Sequence, residues 1–102
     1  MAGWVHIGSA SDIPEGGCKL VEAGGTKVAV FRIAGALHAM EDTCPHRGGP
    51  LSQGMIAGSK VTCPWHYWSF DIATGRNTTS EEIKVKVYPL DVRGDELFVD
   101  IA

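Results

Sequence analysis

The stretch CPHRGGPL, Cys44 to Leu51, decides how this chain is read. It sets a thiol and an imidazole two residues apart, then adds two glycines and a proline. After a spacer of sixteen residues beyond His46 comes a near-echo, CPWH, Cys63 to His66. Half of the four histidines and two of the three cysteines in 102 residues therefore sit in two short matching boxes.

Cys44 and His46 can both point inward from one tight turn, because Pro45 between them has its φ fixed by its ring. Cys63 and His66 have the spacing of a metal knuckle, C-x-x-H. Three chemistries use such residues. A structural zinc accepts two Cys and two His in a tetrahedron, but its usual spacings pair like with like, whereas here each box mixes them. A nucleophilic cysteine needs one base and an orienting group, which leaves a duplicated box unexplained. A 2Fe–2S cluster with two thiolates on one iron and two imidazoles on the other uses one ligand of each kind from each box. Two loops then clamp the cluster, and each reaches both irons.

Around the boxes the apolar period is two, not 3.6. KVKVY alternates Lys84 and Lys86 with Val85 and Val87, and ELFVDI alternates Glu96 and Asp100 with Leu97, Val99 and Ile101. With RGDE as a turn between them, residues 84–92 and 96–101 read as a hairpin. WVHIG and CKLVEA are strands, and TKVAVFRI and ALHAMED form a second hairpin through Gly35. Only SDIPEG suggests a helical turn, capped by Ser11 or Asp12 and ended by Gly16. Thirteen glycines and five prolines punctuate these short strands, as in a small all-β sandwich or barrel.

Residues 43–75 differ in texture. They predict only brief strands, around Met55–Ile56, Lys60–Thr62 and Trp68–Ile72, in a subdomain inserted between the flanking strands. Backbone this rich in Gly and Pro makes few regular hydrogen bonds, so something else is expected to hold it.

Composition bounds the partners. Apolar residues make up 44% and charged residues 21%, ordinary for one soluble globular domain, here 1–102. A net charge of −3 with scattered Lys and Arg argues against nucleic acid and anionic membranes. The N-terminal residues show neither a signal peptide nor a membrane span. Three cysteines cannot all pair within the chain, so a reducing cytoplasm is the expected compartment.

C-x-H, sixteen residues, then C-x-x-H, with GGPL and GMIAG after the first box and SFDIATG after the second, resembles the Rieske ferredoxin family. The resemblance is specific over about Asp42–Gly75 and continues as strand pattern on either side. It implies a small antiparallel Rieske-type β sandwich or barrel with an inserted cluster-binding subdomain at 43–75. It also implies one 2Fe–2S cluster held by Cys44, His46, Cys63 and His66. Such a centre stores one electron and offers no open position for substrate, so the implied role is a soluble electron carrier or a non-catalytic oxidoreductase subunit. A Rieske oxygenase would add a mononuclear iron domain. The residues after His66 leave no room for it, and only His6 and His38 remain as histidines.

Within the carriers, the wording of the boxes looks more like the small subunit of an NAD(P)H nitrite reductase. Pro45 stands where ring-dioxygenase ferredoxins often have Thr, and Tyr67 where they often have Gly. The alternative is the ferredoxin component of a multicomponent aromatic-ring dioxygenase. A structural zinc module is the third reading. The implied partners are an NAD(P)H-dependent reductase, a terminal oxidoreductase, or both. A transient docking face is expected around Pro50, Leu51, Pro64 and Trp65.

Other residues have ordinary readings. His6 and His38 are strand residues, Cys18 is a small hydrophobe, and Arg47, Glu81 and Glu82 are solvated. Trp65 either frames the cluster or fills the interior, and Tyr67 and Trp68 read as core. Family members from respiratory complexes carry a disulfide between the boxes, with Ser two and usually Tyr four residues after the second ligand His. The matching positions here are Leu51 and Trp65, then Trp68 and Phe70. Ser69, one register off, is expected to face away.

Overall fold

The computed structural model describes residues 4–43, 50–64, 68–78 and 83–101. Its strands are β1 (Trp4–Ser9), β2 (Cys18–Ala23), β3 (Thr26–Ile33), β4 (Ala36–Glu41), β5 (Met55–Ala57), β6 (Lys60–Thr62), β7 (Ser69–Asp71), β8 (Val87–Tyr88), β9 (Leu90–Arg93) and β10 (Glu96–Asp100). They form three antiparallel sheets, ordered β1-β10-β9, β2-β3-β4-β8 and β5-β6-β7. The expected all-β class and antiparallel pairing are what the chain adopts.

The second sheet is the middle layer, and β3 shows why. Val28, Ala29, Val30 and Phe31 are all fully buried, although successive side chains of a strand point to opposite faces. Val28 and Val30 enter one core with Leu97 and Val99 of the first sheet. Ala29 and Phe31 enter another with Val61, Phe70 and Cys63 of the third. On β4, Ala39 and Met40 divide in the same way. Each fully buried side chain of Phe or Leu size contributes about 1.5–3 kcal/mol.

The β3–β4 turn is where the sequence places it. Ala34 and Gly35 both have positive φ, 51° and 81°, as a two-residue hairpin turn matching strand twist requires. The Glu15 carboxylate accepts the N–H groups of both, at 2.6 and 2.7 Å.

Two expected elements are displaced. Residues 84–92 do not form one strand: Val87–Tyr88 pairs with β4, and Leu90–Arg93 pairs with β10. Pro89 separates them, lacking the N–H a continuous ladder needs. The helical turn is 3-10 and lies earlier, at Ala10–Asp12. Neither Ser11 nor Asp12 caps it; Ser11 Oγ donates to Asp95 and Asp12 pairs with Lys19.

The inserted segment is more regular than its Gly and Pro content suggests. Its three strands form a sheet of their own, and Leu51, Val61, Cys63, Phe70 and Ile72 share the core with the middle layer. The Gly-rich turns supply close approaches. Gly75 has φ 77°, and a Cβ there would collide with the Val85 carbonyl oxygen.

Candidate metal centre

The second box hangs from the β6–β7 pairing. Beyond Thr62↔Ser69, the Cys63 N–H donates to the Trp68 carbonyl at 2.7 Å and closes the neck of the box. Cys63 itself is completely buried, while Pro64 is exposed. The first box is closed in a similar way. Thr43 and Pro50 form an antiparallel bridge, and the Leu51 N–H donates to the Asp42 carbonyl at 2.8 Å. A short 3-10 turn, Leu51–Gln53, follows.

These necks meet at one core. Leu51, directly after the first box, and Cys63, opening the second, belong to the same buried cluster, with Val61 and Phe70 between the sheets. Both boxes thus emerge from one end of the inserted sheet. Beside Cys63 lies a mostly apolar cavity of about 200 Å³, lined by Gln53, Met55, Thr62, Cys63 and Pro64.

Of the four candidate ligands, Cys63 is described; Cys44, His46 and His66 lie outside the described residues, as do Trp65, Tyr67, Arg47, Glu81 and Glu82. Among the described residues no three His, Cys, Asp or Glu gather into a metal site. What is described fits the expected group. Cys63 is not in a disulfide, and it sits shielded from water where the two boxes emerge together. An enclosed position at a fixed turn suits a thiolate ligand of an iron–sulfur centre.

The other histidines and the third cysteine have ordinary places. His6 stacks on Phe98 at 5.1 Å on the outer sheet, and His38 is a half-buried residue of β4. Cys18 is half-buried against the site's core, as a small hydrophobe would be. Burial pushes its thiol from an ordinary 9.0 up to about 12, and Asp42 adds to the rise. Trp68 packs partly against the same core. Leu51, expected in an exposed docking ring, is 0% exposed. Among the described residues at this end, Met55, at 74%, is exposed along with Pro64. Reading by residue type also missed Asp42. It closes the ALHAMED stretch, yet only 4% of its surface is exposed.

Comparison with known proteins agrees with this geometry. The family model described as Rieske [2Fe-2S] domain matches residues 3–89. The ferredoxin CarAc of Metapseudomonas resinovorans is 32% identical over 98 residues, covering 94% of this chain and 92% of that protein. The ferredoxin component of the naphthalene 1,2-dioxygenase system of Pseudomonas aeruginosa is 28% identical over 100 residues, covering 97% and 96%. A chain in the solved complex of reduced oxygenase and oxidised ferredoxin of carbazole 1,9a-dioxygenase superposes with a TM-score of 0.88. It is 29% identical, and the match covers 98% of this chain and 94% of that one.

Among the described residues no helix is long and apolar enough to cross a membrane. The three-sheet frame, the paired necks and the family match across residues 3–89 lead to one conclusion. This chain belongs to the Rieske [2Fe-2S] domain family: an electron carrier for redox partner proteins, with one 2Fe–2S cluster as its cofactor and no catalysis of its own.

Proposed function

We propose that the chain is the ferredoxin component of an aromatic-ring dioxygenase system, taking single electrons from an NAD(P)H-dependent reductase and passing them to a terminal oxygenase in the cytoplasm. The observation that carries this is reciprocal coverage. The naphthalene dioxygenase ferredoxin matches over 97% of this chain and 96% of its own length, so the likeness is to a whole carrier. The nitrite reductase reading, favoured by Pro45 and Tyr67, has no support among these relatives. Two residues next to ligands weigh less than whole-length similarity.

In this reading residues 1–102 act as one domain and 43–75 carry the cluster. Cys44 and Cys63 hold one iron, and His46 and His66 hold the other. When bound, the cluster supplies a one-electron store whose two neutral imidazoles hold its potential above that of an all-thiolate centre. The chain's own contribution is structural and electrostatic. The two necks fix the boxes, the shared core excludes water from Cys63, and the exposed end near Met55 and Pro64 presents the centre to a partner.

The test is reconstitution. The purified protein should hold two irons and two acid-labile sulfides, and show the electron paramagnetic resonance signal of a mixed thiolate–imidazole centre when reduced. It should then support ring dihydroxylation by a dioxygenase lacking its own ferredoxin. A colourless protein with one zinc would refute the cluster. A cluster-loaded protein that drives a sirohaem reductase but no oxygenase would refute the assignment to dioxygenases.

A further inference from the structure

We propose that Asp42 is the positioning residue of the first ligand loop, tying its two ends together so that Cys44 and His46 meet the cluster in one geometry. This rests on the reading that those two residues are ligands.

Asp42 is 4% exposed and sits two residues before Cys44. A buried carboxyl group is costly unless its oxygens are hydrogen-bonded. Its partners lie across the loop. Its own N–H donates to the Lys27 carbonyl at 3.1 Å, which anchors it to β3. Its carbonyl accepts the Leu51 N–H at 2.8 Å, and its Oδ1 accepts the Ser52 N–H at 2.6 Å. Leu51 and Ser52 open the 3-10 turn, whose first N–H groups have no partner within the turn. One residue on the incoming side therefore satisfies both donors on the outgoing side.

The consequence concerns the loop between them. Residues 43–50 include two adjacent glycines, Gly48 and Gly49, the residue type that loses most backbone freedom when a chain is ordered. Tying the ends removes much of that freedom before any ligand bond forms. Leu51 then locks the tie to the second box, because it is fully buried in the cluster that contains Cys63. Groups that orient metal ligands from behind commonly change metal retention by about 10–100-fold when removed.

The cluster-loaded protein tests this with three variants. Asp42→Asn keeps an Oδ1 acceptor in the same place, Asp42→Ala removes it, and Ser52→Pro removes the donor. Cluster release to a ferrous chelator should speed up about tenfold or more in Asp42→Ala and Ser52→Pro. Their reduced electron paramagnetic resonance lines should broaden as ligand geometry becomes heterogeneous. Asp42→Asn should restore wild-type release to within about twofold. Wild-type release and line shape in Asp42→Ala, even with a lowered melting temperature, would overturn the proposal, because Asp42 would then serve the fold alone. So would an Asp42→Asn protein as labile as the Ala or Pro variant. If Asp42→Ala does not fold, Asp42→Asn and Ser52→Pro decide the matter by the same criteria. A wild-type protein with no 2Fe–2S signal would instead remove the site assignment on which the proposal rests.

Discussion

The hydroxyls of Thr62 and Ser69 lie 2.8 Å apart across the β6–β7 pair, bonded to each other. Ser69 is therefore engaged on the face opposite Phe70, which is fully buried in the core with Cys63. Among the residues two and four positions past His66, Trp68 and Phe70, neither brings a hydroxyl. Hydroxyl hydrogen bonds from those two positions to cluster or ligand sulfur would stabilise the reduced state, so this chain forgoes that contribution to the potential. Redox titration should place the midpoint near the low end of the Rieske range, roughly −150 mV.

Phe70→Tyr tests the same relationship from the other side. A hydroxyl added in the core that holds Cys63 should raise the potential by tens of millivolts, since about 60 mV corresponds to a tenfold shift in a one-electron equilibrium. A variant with a crystallographically observed hydroxyl–sulfur contact and an unchanged potential would refute the hydrogen-bond account.

The β3–β4 turn carries a residue unsuited to it. Ala34 holds φ 51°, a conformation that Asn and Gly adopt at lower cost. Ala34→Asn creates the Asn-Gly pair that such turns favour and should stabilise the protein by about 0.5–1 kcal/mol. Urea denaturation of the loaded protein measures it, and the Glu15 bonds to the turn amides should persist.

Gly75 predicts the reverse. Its φ of 77° and the Val85 carbonyl facing its Cα leave no room for a methyl group. Gly75→Ala should cost about 1–3 kcal/mol. Hydrogen exchange should show the loss first at the bonds Gly75 makes, its N–H to the Asp71 carbonyl and its carbonyl to the Val85 N–H.

Cys18 should be chemically quiet. With its thiol pushed up to about 12, almost none is thiolate at pH 8, so alkylation there should lag far behind that of a solvent-exposed thiol. The raised value also has a stability consequence with a definite sign. The native state holds this proton more tightly than the unfolded chain, so the contribution is intact below about pH 9 and is lost as pH rises toward 12. Cys18→Ala should flatten that alkaline decline in a denaturation series.

Alternating apolar residues made most strands legible, because a half-buried strand shows its period of two directly. CKLVEA and TKVAVFRI match β2 and β3 residue for residue. The boxes made the cofactor legible because few chemistries use one thiol and one imidazole from each of two loops. Residues 84–92 misled because KVKVY keeps its alternation while Pro89 moves the chain to another sheet. Asp42 was invisible because burial of a polar side chain depends on a partner elsewhere in the chain, here the Ser52 N–H across the first box. Pro45 and Tyr67 pointed to a different carrier system from the one the whole-length relatives support, since single residues record lineage less faithfully than the whole chain does.

The double burial of β3 changes what a register error would do. In a strand with one wet face, a slip of one residue drives apolar groups into water, and polarity alone forbids it. Here a slip would also exchange the occupants of two neighbouring interiors, besides carrying Lys27 or Arg32 into a buried place. In one direction Phe31 would be pressed into the space of Val30 while Arg32 entered the space Phe31 had left. In the other Val30 would rattle in the space of Phe31, in the core that holds Cys63. Volume as well as water affinity therefore sets this strand's alignment. A paired exchange that swaps the bulk of Val30 and Phe31 would have its penalty written as overpacking on one side and a void on the other.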